Sequence, residues 1–202
     1  MPISFPLQPP AEFKTQAVTW RPVSIVAQAI SLMTGQRQVQ PLQGQYWECD
    51  ITLPPLLRQE AQAVAAFMTA LNGKQGTFYY GPILEGKPLG VATGTPLVKG
   101  ANQSGQDLIT DGWAPSVTSI LKAGDFIQIG QSLYRLLSHA NSDNSGNATL
   151  TVFPNLRAGT PDNAPIITQY PKGVFYLTSD TSYDIDGGQV FSFKFSAREA
   201  LV

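Results

Sequence analysis

The chain has 202 residues, 43% of them hydrophobic and only 13% charged, with a formal net charge of −1. That length can bury a substantial core, but the charged fraction lies far below the roughly 25% of an average soluble domain. The surface must then be covered by Gln, Asn, Ser, Thr and Gly or by other subunits, which makes a multi-subunit assembly attractive. The sequence contains no block of like charge and no Lys/Arg stripe, so a phosphate-tracking surface and nucleic-acid binding are disfavoured. A single cysteine, Cys49, excludes an internal disulfide and a Cys-rich zinc site. The opening "MPISFPLQPPAEF" lacks a basic region followed by an apolar core, so no signal peptide is expected there, and no apolar run is long enough to span a bilayer.

Taken in chain order, most of the sequence reads as short strands between turns. "VSIVAQAI" and "QRQVQPL" flank "MTGQ", where Gly35 suits a turn, so these segments are expected to form a hairpin. "QYWECDITL" alternates cleanly, with Trp47, Cys49, Ile51 and Leu53 on one side and Tyr46, Glu48, Asp50 and Thr52 on the other. This is the pattern of a half-buried strand. "PPLLRQEAQAVAAFMTALNG" predicts a helix over about 56–72, opened by prolines and closed at Asn72-Gly73. Its apolar stripe is Leu57, Ala61, Val64, Met68 and Leu71, with "GTFYYG" following as a strand beside it.

"GPILEGKPLGVATGTPLVKGANQSGQ" is rich in Gly and Pro and reads as a linker or extended arm. Beyond it "FIQIG", "SLYRLLS" and "ATLTVF" predict three strands of a small meander or barrel, and "APIITQY" a further strand. The chain returns through "PKGVFYLTSD". "TSYDI" and "QVFSFKF" are expected to pair across "DIDGGQ", whose Gly187 and Gly188 accept the positive φ of a tight turn. The resulting expectation is a mainly β fold with one packed helix. A discontinuous sandwich or barrel-like unit would be built from residues 1–85 and 169–202, with an arm and small β module at 86–168 inserted into it.

Candidate sites are few. "LSHANSDNSGNATLTV" holds the only histidine, His139, followed by Asn141, Asp143, Ser145 and Gly146 in the N-x-D-x-S-G spacing that begins a calcium loop. Position twelve of such a loop must be a bidentate carboxylate, and here it is Val152, with strand-like flanks. A turn between strands is the better reading. His139 has no nucleophile pattern near it, and Cys49 shares the apolar side of its strand with Trp47 and Ile51, as a buried structural cysteine does. Glu48 and Asp50, like Asp184 and Asp186, are paired carboxylates two residues apart, and solvated charge and turn chemistry explain them. Tyr79, Tyr80, Phe175 and Tyr176 are aromatic clusters for core packing, subunit contact or stacking on a sugar. No catalytic, cofactor-binding or metal residue is assigned, no cofactor is implied, and the chain is not expected to be an enzyme.

Several stretches together, "TWRPVSIVAQAISLMTGQRQV", "YWECDITLPPLLRQEAQAVAAFMTALNGKQGTFYYGP", "GANQSGQDLITDGWAPSVTSILKAGDFIQIGQSLYRLL", "NATLTVFPNLRAG" and "FSFKFSAREAL", resemble virion structural proteins of tailed bacteriophages with long non-contractile tails. The similarity is to distal-tail or minor-tail components, and it covers most of the chain in order. It implies a β-sandwich ring (belt-type) domain with a packed helix, and assembly of copies into a ring, typically a hexamer, at the tail tip or baseplate. The ring would join the tail tube protein to the hub and other minor tail or fibre proteins, in the virion after synthesis in the host cytoplasm, without nucleic acid or membrane insertion. The chain departs from some relatives at the inserted module, whose "AGDFIQIGQSLYRLL" pair reads as a small barrel rather than a galectin-like sandwich. That counts against the rival role of a host-surface carbohydrate-binding tail module. A cell-wall hydrolase lacks both a zinc constellation and a credible nucleophile–base pair.

Overall fold

The structure is a computed structural model that describes residues 3–42, 44–157, 159–180 and 182–201. It is mainly β with one α-helix. In chain order the strands are β1 (Ala17–Val23), β2 (Val26–Ile30), β3 (Arg37–Pro41), β4 (Tyr46–Thr52), β5 (Leu56–Leu57), β6 (Thr77–Tyr80), β7 (Gly94–Val98) and β8 (Gly105–Trp113). There follow β9 (Phe126–Ile129), β10 (Ser132–Leu136), β11 (Ala148–Leu156), β12 (Ile166–Ile167), β13 (Gly173–Leu177), β14 (Tyr183–Ile185) and β15 (Val190–Glu199). The helix α1 (Arg58–Ala70) sits between β5 and β6.

The first sheet has the order β1-β4-β15-β13-β6, built from both ends of the chain. β15 organises it: its early residues pair with β14 and β5, and its later residues with β4 and β13. The alternation read in β4 is realised, with Trp47, Cys49, Ile51 and Leu53 all buried. In β15 the inner positions are Phe191, Phe193, Phe195 and Ala197. Against this inner side lies α1, which buries Ala61, Val64, Ala65, Phe67 and Met68. Leu57 departs from the expected stripe: it is extended, precedes the first turn and is exposed, while Leu56 is buried in its place. The spacing predicts the helix start two residues early, because Leu56 and Leu57 form β5, and a strand residue points its side chain to the opposite side from its neighbour.

β14 and β15 pair as expected, in the register Tyr183↔Phe193 and Ile185↔Phe191; Thr181 of the expected strand lies outside the described residues. The turn between them differs from expectation. The positive φ falls on Gln189, at +59°, and not on Gly187 or Gly188. Asp186 accounts for this, because its Oδ1 accepts the N–H groups of both Gly188 and Val190 and so holds the turn in a longer form closed by a left-handed residue.

The middle of the chain forms a six-stranded sheet of order β12-β9-β10-β11-β8-β7. It comes close to closing into a barrel, through a bridge from Leu97 to Pro165 and reciprocal bonds between Val98 and the Asn163–Ala164 backbone. Its interior holds Leu108, Ile120, Leu121, Ile127, Leu136, Leu150 and Val152, among others. The expected β9, β10, β11 and β12 are all present. The segment expected to be an arm is not free: its end forms β7, paired with β8, and is built into the barrel. β8 was not anticipated, since only Leu108, Thr110 and Trp113 of its nine residues face inward and the alternation is faint.

The two sheets share packing. Phe126 and Leu133, on β9 and β10, belong to the core of the first sheet, and Phe153 packs against it. Trp47 is the pivot: its indole N–H donates to the Leu133 carbonyl at 3.2 Å, and its ring lies 5.6 Å from Phe126 and 5.1 Å from Phe153. The β10 and β13 segments also approach closely, with Val174 N–H bonded to the Gln131 carbonyl.

Candidate assembly arm and polar clusters

β1 and β4 form the outer ribbon of the first sheet, and β2 and β3 continue that ribbon past the end of the sheet. At about 3.3 Å per residue, five paired residues reach roughly 17 Å before the tip is counted. The tip turns where expected, with Gly35 at φ +68° and the Gly35 N–H bonded to the Ser31 carbonyl. The register sorts the arm into two sides. Val26, Gln28 and Ile30 share one side with Arg37, Val39 and Pro41, while the other carries Ala27, Ala29, Gln38 and Gln40. Every residue of β2 and β3 is exposed, and at the tip Leu32 and Met33 are bare to solvent. A lone two-stranded ribbon is at best marginally stable in water. Among the described residues, no other part of the chain covers the aliphatic side chains it presents.

On the outer side of the first sheet the carboxylates of β4 are paired, not simply solvated. Arg21 reaches Asp50 through two bonds of 2.7 and 3.1 Å and approaches Glu48 at 3.7 Å. Arg198 bonds Glu48 at 2.8 and 3.0 Å and lies over the Tyr46 ring at 4.4 Å. Asp50 also accepts from the Ser196 hydroxyl, and this bond, followed by Arg21, holds its carboxyl below the ordinary carboxylate range. The bond to Glu48 likewise raises Arg198. These groups are neighbours across β1, β4 and β15, so the ladder follows from strand register. Each carboxylate is engaged by a cation, which suits a structural role better than proton transfer. Asp184 is exposed, and Asp186 serves its turn.

The loop around the lone histidine is a built turn. Asp143 Oδ1 accepts the N–H groups of Ser145 and Asn147, each at 2.8 Å, and Oδ2 accepts the Asn147 amide. These bonds, the Asn147 amide first, depress its carboxyl. Gly146 has φ +76°, and a Cβ there would lie 2.3 Å from the Trp113 carbonyl oxygen. The loop is longer than a hairpin tip and is pinned at its middle. Ala140 pairs with Leu121, Asn141 accepts the Ser119 N–H, and the Ser142 hydroxyl donates to Ala114 while accepting from Val117 N–H. His139 Nδ1 accepts the Ala123 N–H at 3.2 Å. The Asp143 oxygens thus hold the loop's own backbone. Among the described residues no group of three or more His, Cys, Asp and Glu converges as a metal site.

Cys49 is fully buried, and desolvation, reinforced by the Asp50 charge, pushes its thiol up and away from nucleophilic use. Of the aromatic clusters, Tyr80 and Phe175 are core residues, and burial raises the Tyr80 hydroxyl, which bonds Thr15 at 3.1 Å. Tyr79 and Tyr176 are half-buried.

One residue that matters escaped the sequence reading. Glu199 continues the inward phase of β15 after Phe195 and Ala197, and its side chain is wholly buried. It accepts the Trp47 N–H at 3.2 Å and the Leu133 N–H at 3.3 Å, joining the first sheet to the barrel. Arg157 completes the junction, with Nη1 bonded at 3.0 Å and Nη2 at 2.7 Å from Oε2. The Nη2 contact is close but not aligned as a hydrogen bond, so charge rather than directionality holds it. The available signal was a carboxylate at an inward position of a strict alternation, which requires a buried partner.

Compared with models of known protein families and with curated proteins, the chain matches none of them.

Proposed function

We propose that this protein is a structural subunit of a phage tail tip, forming a ring that connects the tail tube to the hub and fibres. The arm carries this reading: an overhang of the sheet, aliphatic on one side, marginal alone, and left uncovered by the described residues of its own chain. An arm that leaves one subunit and lands on a different surface of the next makes a heterologous contact, and such contacts close into rings when the rotation per subunit permits. The low charge fraction fits broad polar interfaces around the arm. The rigid junction at Trp47 and Glu199 would hold the barrel at a set angle to the ring.

Two measurements test the proposal. Cryo-electron microscopy of purified particles should locate the chain at the tail tip, and its absence from virions would sink the reading. Replacing Val26, Ile30 and Val39 by Ser should abolish ring formation while changing the stability of the isolated chain by no more than about 0.5 kcal/mol per site, as for exposed positions. Rings that form undiminished from the triple variant would remove the arm from the mechanism. For the carbohydrate-binding reading, Tyr80 and Phe175 are packed inside and offer no face to a sugar, while Tyr79 and Tyr176 are half-buried.

A further inference from the structure

A groove of about 570 Å³ lies beside the barrel, between the segment that leaves β6 and the end of β9–β10. Its upper walls are aliphatic and open to solvent: Ile83 is 48% exposed, Leu84 61% and Leu89 73%. Tyr170, 51% exposed, forms the opposite rim. The backbone of Tyr170 is left-handed, at φ +48°, a conformation costly for a bulky residue. It is held there by the bond from its N–H to the Gly86 carbonyl, with the ring against Gly86, where a Cβ would come within 2.4 Å of the ring.

The floor of the groove supplies a charge. Arg135 is half-buried, its guanidinium lies 5.0 Å over the Phe126 ring, and its Nε donates to the Gly124 carbonyl at 3.1 Å. Stacking and that single bond orient the planar fork, yet no carboxylate of the described residues lies within ion-pair distance of its terminal nitrogens. The acid beside it, Asp125, is committed elsewhere. Its Oδ1 accepts Leu89 N–H at 2.8 Å, and its Oδ2 accepts Gly90 N–H at 3.1 Å and Lys122 N–H at 2.8 Å. Lys87 adds a second cation at the rim, and Glu85 is the one other acid in the lining.

We infer that this groove docks an extended segment of another polypeptide that carries a carboxylate flanked by aliphatic side chains. The carboxylate would meet the fork of Arg135 bidentately, and the flanking side chains would cover Leu84, Leu89 and the Tyr170 ring. Charge complementarity decides the occupant. An oriented guanidinium that no carboxylate of the described residues pairs selects a carboxylate, and the aliphatic walls select a peptide over a sugar acid, whose hydroxyls would find few polar partners there. The inference is independent of where the protein resides, since it needs only a second chain.

The test uses the full chain labelled with nitrogen-15 and the peptides acetyl-Ala-Leu-Glu-Leu-Ala-amide and acetyl-Ala-Leu-Gln-Leu-Ala-amide, with glucuronate as a third probe. Amide shifts should move at Leu84, Leu89, Gly124 and Tyr170, and the Glu peptide should bind about tenfold more tightly than the Gln peptide, as a bidentate ion pair requires. Arg135→Gln should reduce that preference to within about twofold, with Arg135→Lys intermediate because it keeps the charge and loses the fork. Should Arg135→Gln fail to fold, Leu84→Ser carries the decision, since an exposed side chain is dispensable for folding. It must weaken the Glu peptide by about threefold or more to match loss of an aliphatic contact. Equal binding of the two peptides, shifts confined to other surfaces, or tighter binding of glucuronate than of the Glu peptide would each overturn the inference.

Discussion

Replacing Glu199 by Gln perturbs the junction between the two sheets with almost no change of shape. The native carboxylate is fully buried and receives two backbone N–H groups, from Trp47 and Leu133, together with the Arg157 guanidinium. An amide in its place offers one oxygen where two were used and turns an NH₂ toward donors. It also leaves the Arg157 side chain, 18% exposed, without its counter-charge. Removing one partner of a buried ion pair costs about 3–5 kcal/mol. The remaining exposure of Arg157 and its bond to Ser132 at 3.0 Å argue for the lower end, about 3 kcal/mol. That is a large share of the stability of a typical domain, about 5–15 kcal/mol. It corresponds to a fall of roughly 6–12 °C in Tm for a chain of this size. Urea unfolding at neutral pH, followed by tryptophan emission, measures it, because the Trp47 ring sits at the junction itself. In a double-mutant cycle with Arg157→Met the two changes should couple by at least about 1 kcal/mol, as residues of one network do. A loss below about 1 kcal/mol for Glu199→Gln, or strict additivity, would refute the view that this ion pair welds the barrel to the first sheet.

Two further outcomes follow from the polar and turn geometry. Because the Ser196 and Arg21 bonds depress Asp50, its contribution is fully present above the unfolded carboxylate pKa of about 3.9 and is lost as pH falls through the lower folded value. Asp50→Asn should therefore flatten the acid limb of the stability curve, and an unchanged limb in pH-dependent thermal melts would contradict the assignment. Gly146→Ala puts a Cβ against the Trp113 carbonyl at a positive φ, so it should destabilise by more than about 1 kcal/mol. The same change at Gly35, where nothing lies within 4 Å, meets only the cost of the backbone conformation, and chemical denaturation of the two variants should separate them.

Much of the local structure was legible in the sequence because it depends on side-chain period. The alternation of β4 and β15, the helix behind its prolines, the three barrel strands and the turn at Gly35 all follow from residues that are neighbours along the chain. The turn at Asp143 was legible too, because Asn, Asp, Ser and Gly are the residues a turn prefers. The exposed arm was legible as a hairpin, but its isolation was not, since nothing in β2 or β3 says that no sheet will cover it. Tertiary structure alone decided which contacts join distant residues. It built the segment expected as a linker or arm after β6 into the barrel through β7, engaged Glu48 and Asp50 with arginines from two other strands, brought Glu199 to Arg157, and left Arg135 oriented with no carboxylate of the described residues paired to it. The physical reason is that period and turn chemistry act over a few residues, whereas ion pairing and burial depend on which strands the folded chain sets side by side.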